Sequence, residues 1–129
     1  MPGFPNLFLV LGPNTGLGHN SMVYMIESQI AHVLKVMRTA REQGAETVEV
    51  RPEAVESYNE AIDARMGGTV WSTGCSSWYL DDTGRNATLW PDWTWRFRQR
   101  AARFDPAAYA LAAPQRGRAG AGSREAVPA

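Results

Sequence analysis

Only one cysteine, Cys75, occurs in the chain, so an internal disulfide is excluded and a reducing, cytoplasmic setting is expected. No sign of charge is in excess: thirteen Lys and Arg against thirteen Asp and Glu give a formal charge of zero. No global field therefore draws the chain to nucleic acid or to an anionic membrane. Long apolar runs are missing too. The best uncharged stretch, Leu7 to Leu11, is far too short to span a bilayer, and Met1-Pro2-Gly3-Phe4 lacks the positive start of a secretory signal. The two histidines, His19 and His32, have no cysteine or carboxylate at metal-ligand spacing from both, so no metal site is expected. At 129 residues the chain can bury one core but cannot house two nucleotide-binding domains. Any chemistry that needs two cofactors must be shared with sequence outside it.

What is present reads as α/β. Phe8-Leu9-Val10-Leu11, stopped by Gly12-Pro13-Asn14, has the pattern of a strand covered on both faces, as in a parallel sheet. The chain opens on it with no preamble, as a fragment does. From Ser21 to Gln43, Val23, Ile26, Ile30, Val33, Leu34 and Met37 recur at helical spacing, with Asn20 or Ser21 able to cap the start and Gly44 the end. Thr47 to Val50 alternates as a short strand. Pro52 then opens a second helix that runs through Val55, Tyr58, Ile62 and Met66 until Gly67-Gly68 stops it. The stretch from Thr69 to Leu80 has no helical period and reads as irregular or extended, and Asp81 to Asn86 is turn chemistry. A last helix is expected over Asp92 to Phe104, capped by Asp92 and stopped before Pro106. Residues 1–111 form the folded region, and the Ala-, Gly- and Arg-rich segment 112–129 is expected to be a disordered tail.

The strongest chemical feature is Gly12-Pro13-Asn14-Thr15-Gly16-Leu17-Gly18-His19-Asn20-Ser21, lying between the expected strand and the long helix. A helix N-terminus presents unpaired N–H groups and a positive dipole end, and glycines let a ligand's oxygens approach the backbone. It is not a phosphate-binding P-loop, because no Lys-Ser or Lys-Thr follows the glycines. Gly16 to Ser21 matches a dinucleotide fingerprint only until its last position. Taken as a bare glycine motif it fits equally well a strand-to-helix turn that needs flexible residues.

Two separated motifs carry a resemblance. Phe4-Pro5-Asn6-Leu7-Phe8, Leu11-Gly12-Pro13-Asn14, Asn20-Ser21 and Ile26-Glu27-Ser28-Gln29 form the first; Ser77-Trp78-Tyr79-Leu80, Arg85-Asn86 and Leu89-Trp90-Pro91 form the second. In this order they resemble the C-terminal region of Baeyer–Villiger and related class B flavoprotein monooxygenases, closest to the branch that includes 4-hydroxyacetophenone monooxygenase. The resemblance implies the end of a Rossmann-like FAD/NAD(P)-binding domain followed by a helical and irregular C-terminal segment. It implies FAD contacts at Gly12, Asn14, Thr15, Gly16, Leu17, Gly18 and Asn20, with Leu17 or His19 facing substrate. It also implies that Trp78 touches the NADP ribose region in a segment that closes the site; the competing reading of that indole is a core aromatic. The parent chemistry would use NADPH to reduce FAD and the reduced flavin to activate oxygen, turning a ketone into an ester or lactone or oxidising a heteroatom. Neither glycine-rich nucleotide fingerprint nor the family's catalytic arginine is present, so no residue here is expected to be catalytic and the chain alone is expected to be inactive.

Other residues take plainer readings. Cys75 fits a small buried residue better than a nucleophile. Trp93, Trp95, Arg96, Arg98, Arg100 and Arg103 combine aromatics with charge, but on a helix the arginines spread around its circumference, which suits a solvated face with cation–π contacts. Two further functions compete with the monooxygenase reading. One is a non-catalytic assembly subunit or gene remnant that binds a separate N-terminal flavin-domain polypeptide or itself. The other is a small nucleotide-binding module built on Gly12 to Ser21. In either case an interior strand and an amphipathic helix without partners leave the isolated chain expected to be sticky, marginally stable or oligomeric.

Overall fold

A computed structural model describes residues 1–18, 20–69 and 79–113. Among these residues the regular structure is three helices and one two-stranded sheet: α1 (Met22–Glu42), β1 (Thr47–Val50), α2 (Pro52–Met66), α3 (Thr94–Ala102) and β2 (Tyr109–Ala112), with a short 3-10 turn over Pro106–Ala108 leading into β2.

The first helix ends as its sequence dictates. Gly44 sits at φ +64, and the Ala45 N–H reaches the Ala40 carbonyl (2.9 Å) while the Gly44 N–H reaches that of Arg41 (3.1 Å). This pair of bonds is a Schellman closure, which needs a left-handed residue at the glycine position. The turn drops the chain into β1, where Val48 pairs with Leu111 of β2 in antiparallel register. The other edge of β1 is closed without a strand. Asn6, at φ +61, donates its N–H to the Val48 carbonyl (2.9 Å), and its Oδ1 accepts the Val48 N–H (2.9 Å). One asparagine thus satisfies both backbone groups of Val48 that face away from β2. Proline at the first position of α2 fits there because that N–H has no intrahelical acceptor.

α1 runs past two apolar clusters. Met25 packs with Ile62, Trp90 and Phe97, with Leu17 and Tyr58 against them; Val36 and Ala40 pack with Val48, joined by Phe8, Ala45, Phe104, Tyr109 and Leu111. Between α1, α2, α3 and the sheet lies a cavity of about 390 Å³, lined by Phe8, Val33, Val55, Tyr58, Phe97 and Tyr109 among others. Among the described residues, no helix is long and apolar enough to cross a membrane.

Three expectations change. Phe8–Leu11 is not a strand buried on both faces: it is irregular and ends in a turn, with Leu9 53 % and Val10 46 % exposed. An interior strand needs a neighbour on each edge, and the only sheet among the described residues is β1–β2. The last helix starts at Thr94 rather than Asp92. The Asp92 Oδ1 accepts the N–H of the next residue, Trp93 (2.7 Å), rather than one inside the helix, and its Oδ2 accepts from the Arg96 guanidinium one turn on (3.2 Å). Finally, β2 was not foreseen, and it reaches Ala112, one residue into the segment expected to be disordered. Residues 114–129 lie outside the described residues.

Candidate functional site

The loop before α1 is held in shape by the segment after the Asp81 turn. In that turn the Asp81 Oδ1 accepts from the Thr83 hydroxyl (2.6 Å) and from the N–H groups of Thr83 (2.9 Å) and Arg85 (3.0 Å), with Gly84 at φ +78. The Thr83 hydroxyl foremost, and then the Arg85 N–H, hold the Asp81 carboxyl below the usual carboxylate range. Arg85 leaves the turn towards α2, its Nε 2.9 Å from both Asp63 oxygens. Asn86 follows, 3 % exposed, and its Oδ1 accepts the N–H groups of Thr88 (3.1 Å) and Leu89 (3.0 Å).

Onto this scaffold the glycine-rich loop is pinned at two points. Asn14, 1 % exposed and at φ +55, donates its N–H to Ala87 (2.8 Å) and its Nδ2 to the carbonyls of Asn86 (2.8 Å) and Leu89 (3.1 Å). Two residues on, the Gly16 N–H reaches the Thr88 carbonyl (2.9 Å), and its own carbonyl accepts from Trp90 (2.8 Å), forming a one-residue parallel bridge to Leu89. Gly16 must be glycine here: a Cβ would lie 2.9 Å from the Thr88 carbonyl oxygen and 3.3 Å from Leu89 Cδ2. Gly16→Ala is expected to cost about 1–3 kcal/mol, because the obstacle is backbone that cannot swing aside; urea denaturation against the unaltered chain measures it. Thr15 turns its hydroxyl back to the Gly12 carbonyl (2.5 Å). Asn20 ties the two helix starts together, its Oδ1 accepting the Ser21 N–H (2.7 Å) and its Nδ2 donating to the Thr94 hydroxyl (2.9 Å).

The eight residues expected to contact cofactor therefore divide. Asn14, Thr15, Gly16 and Asn20 direct their polar groups into the chain itself. Leu17 sends its side chain against the Met25–Trp90 cluster. The N–H groups of Gly12, Leu17 and Gly18 have no acceptor among the described residues. Ser21 makes no side-chain cap, and α1 carries no acidic residue in its first turn, so the positive end of a 21-residue helix is also unanswered. The Asn86 Nδ2, beside the loop, is buried without an acceptor. Trp78 and His19 lie outside the described residues. The role of Asn86 was legible only as half of a motif. Nothing in the sequence told that its segment would pair with the glycine-rich loop more than seventy positions away.

A second polar cluster escaped the sequence reading. His32 Nδ1 lies 2.8 Å from the Ala101 carbonyl and Nε2 2.7 Å from the Tyr109 hydroxyl. The carbonyl can only accept, so a neutral imidazole carries its proton on Nδ1 and accepts the hydrogen bond of the Tyr109 O–H at Nε2. This links α1 to the end of α3 and to β2. Burial pushes the Tyr109 hydroxyl above its usual 10.0, and burial does the same for Tyr58, where the Arg100 guanidinium stacked 4.5 Å over the ring partly opposes it. Both phenols ionise more readily in the unfolded chain. Their contribution is thus complete below pH about 10 and is lost as pH rises towards the folded values. Tyr109→Phe is expected to flatten that alkaline fall while lowering stability at neutral pH by about 1 kcal/mol for the lost bond to His32; urea midpoints at neutral pH and above pH 10 test both. The cation–π contacts expected near the last helix are present: Arg96 lies over Trp95, Arg98 over Tyr24 and Arg100 over Tyr58.

No family model matches the chain. Individual proteins do. A Baeyer–Villiger monooxygenase of Pseudomonas aeruginosa is 54 % identical over 111 residues, covering 84 % of this chain and 21 % of the relative. Another of Streptomyces coelicolor is 46 % identical over 126 residues, covering 96 % and 24 %. A FAD-binding monooxygenase of Aspergillus niger is 31 % identical over 103 residues, covering 76 % and 17 %. Among solved structures, an oxidized steroid monooxygenase bound to NADP superposes with a TM-score of 0.71 at 22 % identity, over 87 % of this chain and 21 % of that one. The chain spans about a quarter or less of the length of the relatives it matches. With identity this high over most of its residues and a fold in agreement, the chain is the counterpart of one part of the Baeyer–Villiger monooxygenases.

Proposed function

We propose that the chain is the C-terminal part of a FAD-dependent, NADPH-using monooxygenase, that it completes the Rossmann-like flavin domain, and that it forms one wall of the flavin site without supplying a catalytic group. The observation that carries this reading is the set of unanswered donors at Gly12, Leu17 and Gly18 beside the uncapped start of α1. They suit the carbonyl oxygens and the developing negative charge of a flavin ring, since backbone N–H groups need no reorganisation to meet that charge. When bound, FAD would supply oxygen activation for the insertion of an oxygen atom beside a ketone carbonyl or onto a heteroatom. The chain's own part is to orient and to exclude water. Asn14 and Gly16 lock the loop so that its donors stay in place, and Leu17 anchors it to the core. Trp78 and His19 enter the reading from sequence alone, as the NADP contact and a substrate-facing residue.

The test is FAD binding by the purified chain, alone and mixed with the expressed remainder of a relative, followed by flavin absorbance and fluorescence. Flavin retention and NADPH oxidation only in the mixture support the reading. Tight FAD binding by the chain alone overturns it in favour of a self-contained flavin module.

A further inference from the structure

α1 has a second apolar face that none of the described residues covers. Val23, Ile30, Leu34 and Met37 are 60 %, 45 %, 55 % and 53 % exposed. At 100° per residue they fall within an arc of about 60°, well away from the arc that holds Met25, Val36 and Ala40. Glu27, Lys35, Arg38 and Glu42 occupy a third sector, and Arg41 falls in line with the stripe only past its last member, so from Val23 to Met37 the stripe carries no charge. Beside it runs Leu9-Val10-Leu11, with all three side chains more than two-fifths exposed and the segment fastened to α1 by the Leu11 N–H on Gln29 Oε1 (2.9 Å). The N–H groups of Leu9 and Val10 have no acceptor among the described residues. An apolar helix stripe flanked by an apolar segment with unspent backbone donors is the half-finished edge of a layered α/β core.

We infer that this stripe and the Leu9–Leu11 segment dock onto the flavin-binding portion of a Baeyer–Villiger monooxygenase, the portion that this chain does not span, with Leu9–Leu11 adding backbone bonds to an apolar strand there. The inference rests on the functional reading above and specifies the surface. Two observations select this occupant over a second copy. More than three-quarters of the P. aeruginosa and S. coelicolor relatives has no counterpart here. The uncovered segment also runs directly into the Gly12–Gly18 loop, so whatever covers it stands beside the unanswered donors. A second copy would bring its own unspent segment but no covered sheet to receive it.

The probe is the P. aeruginosa relative truncated to remove the 111 residues that this chain matches, coexpressed with the full 129-residue chain. Expected are a one-to-one complex on size exclusion and soluble recovery of the probe only when the chain is present. The paired substitution Ile30→Glu and Leu34→Lys should weaken the complex at least tenfold while circular dichroism of the chain stays unchanged, since neither side chain packs inside. Sedimentation of the chain alone should show loose, polydisperse association that the same substitutions suppress. A discrete homodimer disrupted by them, a complex indifferent to them, or a probe insoluble with and without the chain overturns the inference. Flavin retention is read separately. A stripe-dependent complex without FAD keeps the docking surface and removes the flavin-wall reading, whereas an FAD-retaining complex indifferent to the stripe does the reverse.

Discussion

Asn14→Asp is expected to unfold the loop before α1 and to cost the chain about 3–5 kcal/mol at neutral pH, the range seen when a buried charge is left uncompensated. Asn14 is 1 % exposed, and its Nδ2 donates to the carbonyls of Asn86 and Leu89. An ionised carboxylate has no donor to offer and would set an oxygen, where Nδ2 stands, against two carbonyl oxygens at a position only 1 % exposed. The introduced carboxyl escapes by taking up a proton, so its folded pKa lies above the unfolded value near 3.9. A group shifted upwards penalises folding more as pH rises. The deficit should therefore shrink on acidification, when one O–H can again donate to one carbonyl. Asn14→Gly separates the causes: it keeps the positive φ and loses only the two side-chain bonds, for about 1–3 kcal/mol and no such pH dependence. Urea midpoints of the three proteins across mildly acidic and neutral pH decide the matter. Equal losses for Asp and Gly at every pH would mean that water reaches the site.

Much of this arrangement follows from local sequence. The bounds of β1 and α2 agree with the alternation at Thr47–Val50 and with Pro52 and Gly67, and α1 agrees with its apolar period and with Gly44, because each element has its own stop signal within a few residues. Phe8–Leu11 failed for a different reason. Apolar content says that a segment is to be covered, not by what, and no strand among the described residues stands next to this one. β2 failed because Tyr-Ala-Leu-Ala is too short and too alanine-rich to announce a strand; its register comes from the open edge of β1. In the candidate site the sequence located the loop but not its internal commitments. Asn14, Gly16 and Asn20 are expected as FAD contacts from the resemblance alone, and nothing local announced that their hydrogen bonds would reach residues 86–94. Pairings across seventy positions depend on how the helices between them pack, which no local pattern encodes.

The packing of α2 sets up the other large effect. α2 buries only Ile62 and Met66, and Ile62 is fully enclosed against Met25, Trp90 and Phe97. Outside this contact α2 is held by the buried Met66, by the half-buried Tyr58 against the same cluster under the Arg100 guanidinium, and by the Arg85–Asp63 pair at the surface. Exposed ion pairs contribute about 0–1 kcal/mol and cation–π stacking at the surface about 0.5–1. Ile62 therefore dominates the docking of the helix, and Ile62→Ala should cost about 2–5 kcal/mol, since the space it leaves is walled by two aromatic rings that cannot collapse into it. The loss should also be localised. α2 amides should lose hydrogen-exchange protection first, while those of α1 between Val36 and Ala40, in the other cluster, lose it only with global unfolding. Ile30→Ala is the comparison, an equal truncation at a site 45 % exposed, where less than about 1 kcal/mol is expected in the isolated chain. A small effect at Ile62 with uniform exchange would show that α2 is held by its surface groups. In that case the Asp63–Arg85 pair, and through it the turn that presents Asn86 to the loop, would carry the connection between the helix and the candidate flavin wall.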